Sequence, residues 1–214
     1  PGQALELTNF EPDVEGGYRR INGYEPYIIQ QVPATALSSE PMLMSALFHD
    51  YVVAARGEKI FSSASTTLSQ KILIGTAMSG SGTINAKSTT SFSSSGTLYI
   101  DSEIFTYTGI TATTFTGVTR AASSTTAAAH AANVVVSESW TERDTGRSAA
   151  AKYKFERFNF DGSDKFIVVD QDNAPTVFNT SLAATDVSTS SVAGAKHVAA
   201  FKNHMFYSGM SSTP

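Results

Sequence analysis

The sequence predicts an all-β fold: an antiparallel meander, wound into part of a β-propeller or into a sandwich, with a small β domain inserted in it. Three observations carry this. Short runs rich in β-branched and aromatic residues recur along the chain, separated by turn signals such as His49-Asp50, Asp161-Gly162 and Lys202-Asn203. Only Ala121–Ala132 has helical propensity, and Ser123-Ser-Thr-Thr126 dilutes it to one turn at most. A Ser-, Thr-, Ala- and Gly-rich stretch, residues 62–137, separates two flanks of a different character.

The first flank, residues 1–61, opens with a turn-punctuated arm. Glu11-Pro12 disfavours helix, Gly16-Gly17 permits a tight turn, and Tyr18–Tyr24 reads as a strand ending at the hairpin signal Asn22-Gly23. Tyr27-Ile28-Ile29 continues as its partner, and Pro33 ends that strand. Met42-Leu43-Met44 and Ala46-Leu47-Phe48 lead to a turn at His49-Asp50. Tyr51–Ala55 then runs to a turn at Arg56-Gly57-Glu58, from which Lys59-Ile60-Phe61 returns.

Low complexity usually marks a linker, yet residues 62–137 alternate as strands do. Gly96–Ile100 and Ile104–Thr108 flank Asp101-Ser102-Glu103 as a hairpin, followed by strands at Thr113–Thr119 and Asn133–Val136. These residues form a folded β module. In the second flank, residues 138–214, Glu142-Arg-Asp-Thr-Gly146-Arg147 reads as a polar turn. Tyr153–Phe160 is a strand with a one-residue slip suggesting a bulge. Lys165–Val169 and Thr176–Asn179 are strands around a turn at Asn173-Ala-Pro175, and Lys196–Phe201 with His204–Tyr207 makes a final hairpin. Shared character on both sides favours an insertion over a tandem array. Pro1 at the start and Ser211-Ser-Thr-Pro214 at the end lead us to expect a segment of a longer protein.

Composition narrows the function. At 214 residues the chain can bury a substantial core. Charged residues are 16%, below the usual quarter, while 10% aromatics and a net charge of −4 argue against disorder. No basic stripe suggests specific nucleic-acid binding, and no apolar run or basic-then-apolar leader suggests a membrane span or signal peptide. Cysteine is absent, which excludes disulfides and thiolate metal sites.

Each candidate for chemistry has a plainer explanation. His49-Asp50 with Ser45 lacks a nucleophile elbow and reads as a hairpin tip. His197 and His204 could face each other across paired strands, but two ligands make a poor metal site. Asn159–Asp164 and Asp170-Gln-Asp172-Asn173 resemble calcium loops, but the first has Asp164 where glycine is required and lacks the closing glutamate; both read as turns. Asp101 and Glu103 form a carboxylate pair at a hairpin tip, where no cleft would raise one pKa. Arg19 and Arg20 point to opposite faces of a strand, so they cannot share one anion. No catalytic residue, cofactor or metal is expected.

The segment Asn9-Phe10-Glu11-Pro12 through Gly16-Gly17-Tyr18-Arg19-Arg20-Ile21-Asn22-Gly23-Tyr24 resembles part of a family of tailed-phage virion proteins of the head–tail connector or tail. The resemblance continues at Gly146-Arg-Ser148, Tyr153–Gly162, Asp170, Asn173-Ala-Pro175, Gly194–Val198 and Phe201–Phe206, so it covers residues 1–61 and 138–214. Related proteins, tail-nozzle proteins among them, are built on β-propeller blades. The interior is similar to a short β repeat of phage tail and fibre proteins, carried by Phe92, Ser95–Ile100, Glu103–Gly109, Thr113–Arg120, Thr125-Thr126 and His130. A glycine usually follows the arginine of that repeat; here Ala121 stands there. The resemblance implies a non-enzymatic virion component at the tail or head–tail junction, assembling as a symmetric homo-oligomeric ring with neighbouring virion proteins. The alternative is a receptor- or glycan-binding tail fibre module using exposed Tyr99, Phe105 and Tyr107. A tail-associated glycosidase, needing two carboxylates in a cleft, is a third.

Overall fold

The computed structural model describes residues 40–73, 75–76 and 78–210, and the backbone of two short strands, β1 (Phe10–Pro12) and β2 (Tyr18–Arg20). β1 and β2 pair antiparallel, Phe10 opposite Arg20. Arg19 and Arg20 therefore lie on a strand, and its partner among the described residues is β1. The expected turns at Gly16-Gly17 and Asn22-Gly23, the strand at Tyr27–Ile29 and Pro33 lie outside the described residues.

β3 (Met42–Phe48), β4 (Tyr51–Arg56) and β5 (Lys59–Thr67) form the expected meander. Its tight turns use left-handed backbone at His49 (φ 50°) and Gly57 (φ 56°). β5 continues past the change of composition at Ser62. Ser62, Ser63 and Ala64 are buried, because β5 has β4 on one side and further strands on the other.

After β5 come β6 (Gly82–Asn85), β7 (Gly96–Ile100), β8 (Glu103–Tyr107), β9 (Gly109–Ile110) and β10 (Thr114–Val118). A single 3-10 turn at Ala122–Ser124 is all that the alanine-rich stretch contributes. β11 (Val135–Glu138) then rejoins β5, with Val135 opposite Thr67, the last residue of that strand. β11 also pairs with β7, and β7 with β8, while β6, β10 and β9 form a small separate sheet. Phe115 packs edge-on against Phe92 and Tyr107, at 4.9 and 5.0 Å between ring centres. The Tyr107 hydroxyl lies 2.9 Å from both Glu138 Oε1 and the Ser93 carbonyl.

β12 (Thr141–Thr145) occupies the other half of the same side of β5, Thr141 opposite Ser62 and Thr145 opposite Lys59. The polar run expected as a turn is thus a strand. It lies at a sheet edge, where charged side chains are tolerated. Glu142 pairs with Lys59, and Arg143 donates to Ser62 Oγ at 2.7 Å while lying over the Tyr51 ring. The first sheet therefore has seven strands, in the order β3-β4-β5-β11-β7-β8 with β12 also paired to β5. Within it β3-β4-β5-β12 is an antiparallel meander, and residues 68–140, β11 among them, lie between β5 and β12.

β13 (Lys154–Phe158), β14 (Lys165–Val169), β15 (Thr176–Phe178) and β16 (Ala184–Asp186) make a second antiparallel four-stranded meander. The β13–β14 register is unbroken from Lys154↔Val169 to Phe158↔Lys165, so the expected bulge is absent. Phe155 and Phe158 instead fall on opposite faces. β17 (His197–Phe201) and β18 (His204–Ser208) form the last hairpin. Its loop has positive φ at both Lys202 (45°) and Asn203 (60°), the backbone of a two-residue primed turn.

Strand alternation sets how these layers meet. Met44, Ala46 and Phe48 are the buried positions of β3, and the Phe48 ring lies 5.5 Å from Phe166 of β14. Phe166 also contacts Phe155 and Phe178. The opposite side of β14 buries Ile167 and Val169, and β17 runs along β13 close to β14. Among the described residues none of the sheets closes into a barrel.

Two backbone positions in the 68–134 segment give a test. Gly117 has φ 62° at the register shift of β10, and a Cβ there would overlap the Thr108 hydroxyl. Ala121 also stands in left-handed backbone, φ 53°, where glycine is unstrained. Gly117→Ala is expected to destabilise the protein by about 3 kcal/mol, and Ala121→Gly to stabilise it by about 0.5–1 kcal/mol. Urea denaturation of the two variants measures both.

Candidate functional site

The densest chemistry is a buried charge network on β8 and the loop after β10. Alternation along β8 puts Glu103, Phe105 and Tyr107 on one face, and all three are buried. Glu103 Oε1 accepts from Arg120 Nε at 2.8 Å, and Oε2 accepts from Arg120 Nη2 at 2.7 Å, a two-pronged pair. The Ala121 and Ala128 amides donate to the same carboxylate at 3.0 and 2.9 Å. His130 spans two acids, with Nε2 2.9 Å from Glu103 Oε2 and Nδ1 2.6 Å from Asp101 Oδ2. The remaining Arg120 donors reach the carbonyls of Leu73, Thr76 and Ala128, and the guanidinium lies over Phe105.

Glu103 is therefore not a hairpin-tip carboxylate. Asp101 is at the exposed tip, but Glu103 has no solvent exposure at all. Burial opposes its ionisation, yet the hydrogen bonds from Arg120, the Ala128 amide, His130 and the Ala121 amide prevail and hold the pKa at about 2. Such a group stays ionised and cannot act as a general acid near neutrality. Its oxygens are taken up by partners inside the protein, and the network cross-links β8, the Ala121–His130 loop and the Leu73–Thr76 turn. The alternation of Glu103 with Phe105 and Tyr107 was the available signal for its burial.

A second network joins the two meanders. Arg147, just past β12, has Nε 3.0 Å from Asp144 Oδ2 and Nη2 3.2 Å from Asp186 Oδ1. Its Nη1 donates to the Ala174 carbonyl at 2.9 Å and lies 3.8 Å from Asp170 Oδ2. Asp170 is buried and accepts from the amides of Ser148, Asp172 and Asn173 and from Asn173 Nδ2. Burial raises the pKa of Asp144, with Asp186 adding to the rise and Arg147 opposing it. Tyr153 donates to the Ser148 carbonyl at 2.8 Å, and burial beside Asp170 raises its hydroxyl pKa. Arg147-Ser148, Asp170 and Asn173-Ala174 are thus one clamp, and the Asp170–Asn173 run is a turn, as expected.

The other candidates separate. His49 forms the β3–β4 turn, with Nε2 3.4 Å from Asp164 Oδ2, and Ser45 lies within β3. Asn159 Nδ2 donates to Asp164 Oδ1, and Asp161 accepts from the Ser163 amide and Lys165 Nζ, so Asn159–Asp164 is a cross-braced turn. His197 pairs with Ser208 and His204 with Phe201, so the two histidines sit at opposite ends of the hairpin instead of facing each other. Among the described residues no group of three acidic or histidine side chains is arranged to hold a metal, and no helix is long and apolar enough to cross a membrane. Phe105 and Tyr107, expected at an exposed binding surface, are in the core, and Tyr99 is half-buried.

Cavities open along the seams. One of about 590 Å³ lies where the β3–β4 and β13–β14 turns meet, lined by Phe48, His49, Arg157, Phe158 and Asp164. Another of about 460 Å³ is lined by Leu47, Val52, Thr67, Lys87 and Val135. No family model, curated protein or solved structure matches the chain.

Replacing Glu103 by Gln removes the charge that holds Arg120 and His130, and is expected to cost about 3–5 kcal/mol. Because the Glu103 pKa is depressed on folding, its contribution is complete above its ordinary 4.5 and is lost as pH falls from there to about 2. Acid titration followed by the fluorescence of the single tryptophan, Trp140, should show wild type losing stability across that window and Glu103→Gln following a flatter curve.

Proposed function

We propose that this chain is a structural component of a tailed-bacteriophage virion, at the head–tail connector or tail, acting through subunit contacts and not through catalysis. One observation carries the reading. The antiparallel meander β3-β4-β5-β12, part of a seven-stranded sheet, and the four-stranded meander β13-β14-β15-β16 pack through facing aromatic side chains and are followed by a hairpin of the same kind. Such a succession fits consecutive blades of a propeller-type scaffold, the architecture implied by the sequence resemblance. On this reading residues 68–134 are a module inserted in the first blade, since the chain rejoins β5 opposite the residue where it left.

The two charge networks support the same reading. Their carboxylates and guanidinium groups are used within the protein, and both fasten segments together. The glycan-binding alternative is weakened, because Phe105 and Tyr107 are buried.

Purified virions that carry this protein test the proposal by mass spectrometry and particle reconstruction. The expected result is density for the chain in a ring at the head–tail junction or along the tail. Absence from the particle, or elongated trimers that bind host cells, contradicts it.

A further inference from the structure

Arg157 breaks the pattern of the strand it stands on. Along β13, Phe155 and Arg157 share one side, and strand pairing sets Arg157 directly opposite Phe166. Phe166 is the ring that meets Phe48 of the first sheet, so the guanidinium belongs to the face on which the two sheets pack. An apolar side chain is the ordinary choice on such a face. Arg157 is nonetheless exposed, because it lines the cleft of about 590 Å³ where the β3–β4 and β13–β14 turns meet. The charged groups around that cleft differ in how they are used. Lys165 is held by Asp161 at 2.6 Å. Asp164 accepts from Asn159 Nδ2 at 2.8 Å and lies 3.4 Å from His49 Nε2. Arg157 has no hydrogen bond, ion pair or ring contact among the described residues. It is the charged side chain of this lining that the fold leaves unused.

We propose that this cleft binds a small carboxylate carried on an apolar ring, with the carboxylate on Arg157 and the ring against Phe158 beside Phe48. A guanidinium presents paired N–H groups that match a carboxylate in two parallel hydrogen bonds. One unpaired cation near the Asp164 carboxylate suits a singly charged anion better than a dianion such as phosphate, which Asp164 would repel more strongly. Phe48 and Phe158 line the apolar part of the cleft, and aromatic walls favour a flat ring laid against them. The volume falls within the range of small-molecule sites, which join an apolar wall to a few placed polar groups. A register position that breaks the apolar pattern without an internal partner is where a functional group is expected.

Titration of the 214-residue chain with benzoate, followed by amide NMR shifts, tests the site. Wild type is expected to bind with a Kd of about 1 mM, with the shifts gathered at His49, Arg157 and Phe158. Benzamide has the same shape without the charge and should bind about tenfold more weakly or not at all. Arg157→Gln should lose benzoate binding by a similar factor. The benzamide comparison uses wild type alone, so it decides the matter even if Arg157→Gln folds poorly. Absence of benzoate binding up to about 20 mM, where weak association is still visible, overturns the proposal. So does equal affinity for benzamide, equal affinity in a folded Arg157→Gln, or inorganic phosphate that binds as tightly as benzoate. The virion location is read separately from purified particles, so a cleft that binds nothing leaves that assignment standing.

Discussion

The architecture turns on one buried guanidinium. Arg147 leaves the end of β12, in the first meander, and meets Asp186 of β16, the Ala174 carbonyl and, more distantly, Asp170 in the second. A buried cation left without partners is strongly destabilising, so the two sheets are constrained to meet where these acceptors converge. Asp170 organises the turn from which Ala174 projects, and Asp144 on β12 completes the cage. The aromatic contact of Phe48 with Phe166 supplies apolar burial across the same junction. Directional charge contacts then select one arrangement among the many that hydrophobic burial alone would allow.

The 68–134 segment repeats the device on a smaller scale. Few of its residues are charged, and of those Glu103 and Arg120 are buried against each other with His130 closing the cluster. A segment so rich in Ser, Thr, Ala and Gly has little large apolar surface to bury. A saturated ionic cluster stacked on Phe105 adds the specificity that its short strands lack. Thr125 belongs to the same corner, accepting from the Ile104 amide and donating to the Ala122 carbonyl. Several side chains that carry the sequence resemblance, in the flanks and in the segment alike, are those fastening the fold. Motifs of this kind can therefore report architecture without marking a binding site.

Most strands were legible because tight turns and alternating side chains leave a local signature, as at Gly96–Tyr107 and His197–Tyr207. The short strands β6, β9 and β16 were not, and neither were three further features. β12 carries Glu142, Arg143 and Asp144 and looks like a turn until β5 is known to lie beside it. The composition change at Ser62 falls inside β5, because small residues pack well in a strand with neighbours on both sides. Glu103 looked like a turn residue, although its parity with Phe105 and Tyr107 already assigned it to the core. Its partners, Arg120 and His130, lie 17 and 27 residues away, and no local pattern joins them. Ala121 is the reverse case: glycine was expected after the arginine, and the left-handed backbone there explains why.

If the Arg147 clamp makes the two meanders one unit, they should open together. Native-state hydrogen exchange reads this directly by comparing amides of Val53 and Phe61 in the first sheet with those of Ile167 and Val177 in the second. Wild type should show one common opening free energy for all four, and Arg147→Met should drop the second sheet below the first. Separate opening energies already present in wild type would contradict the account.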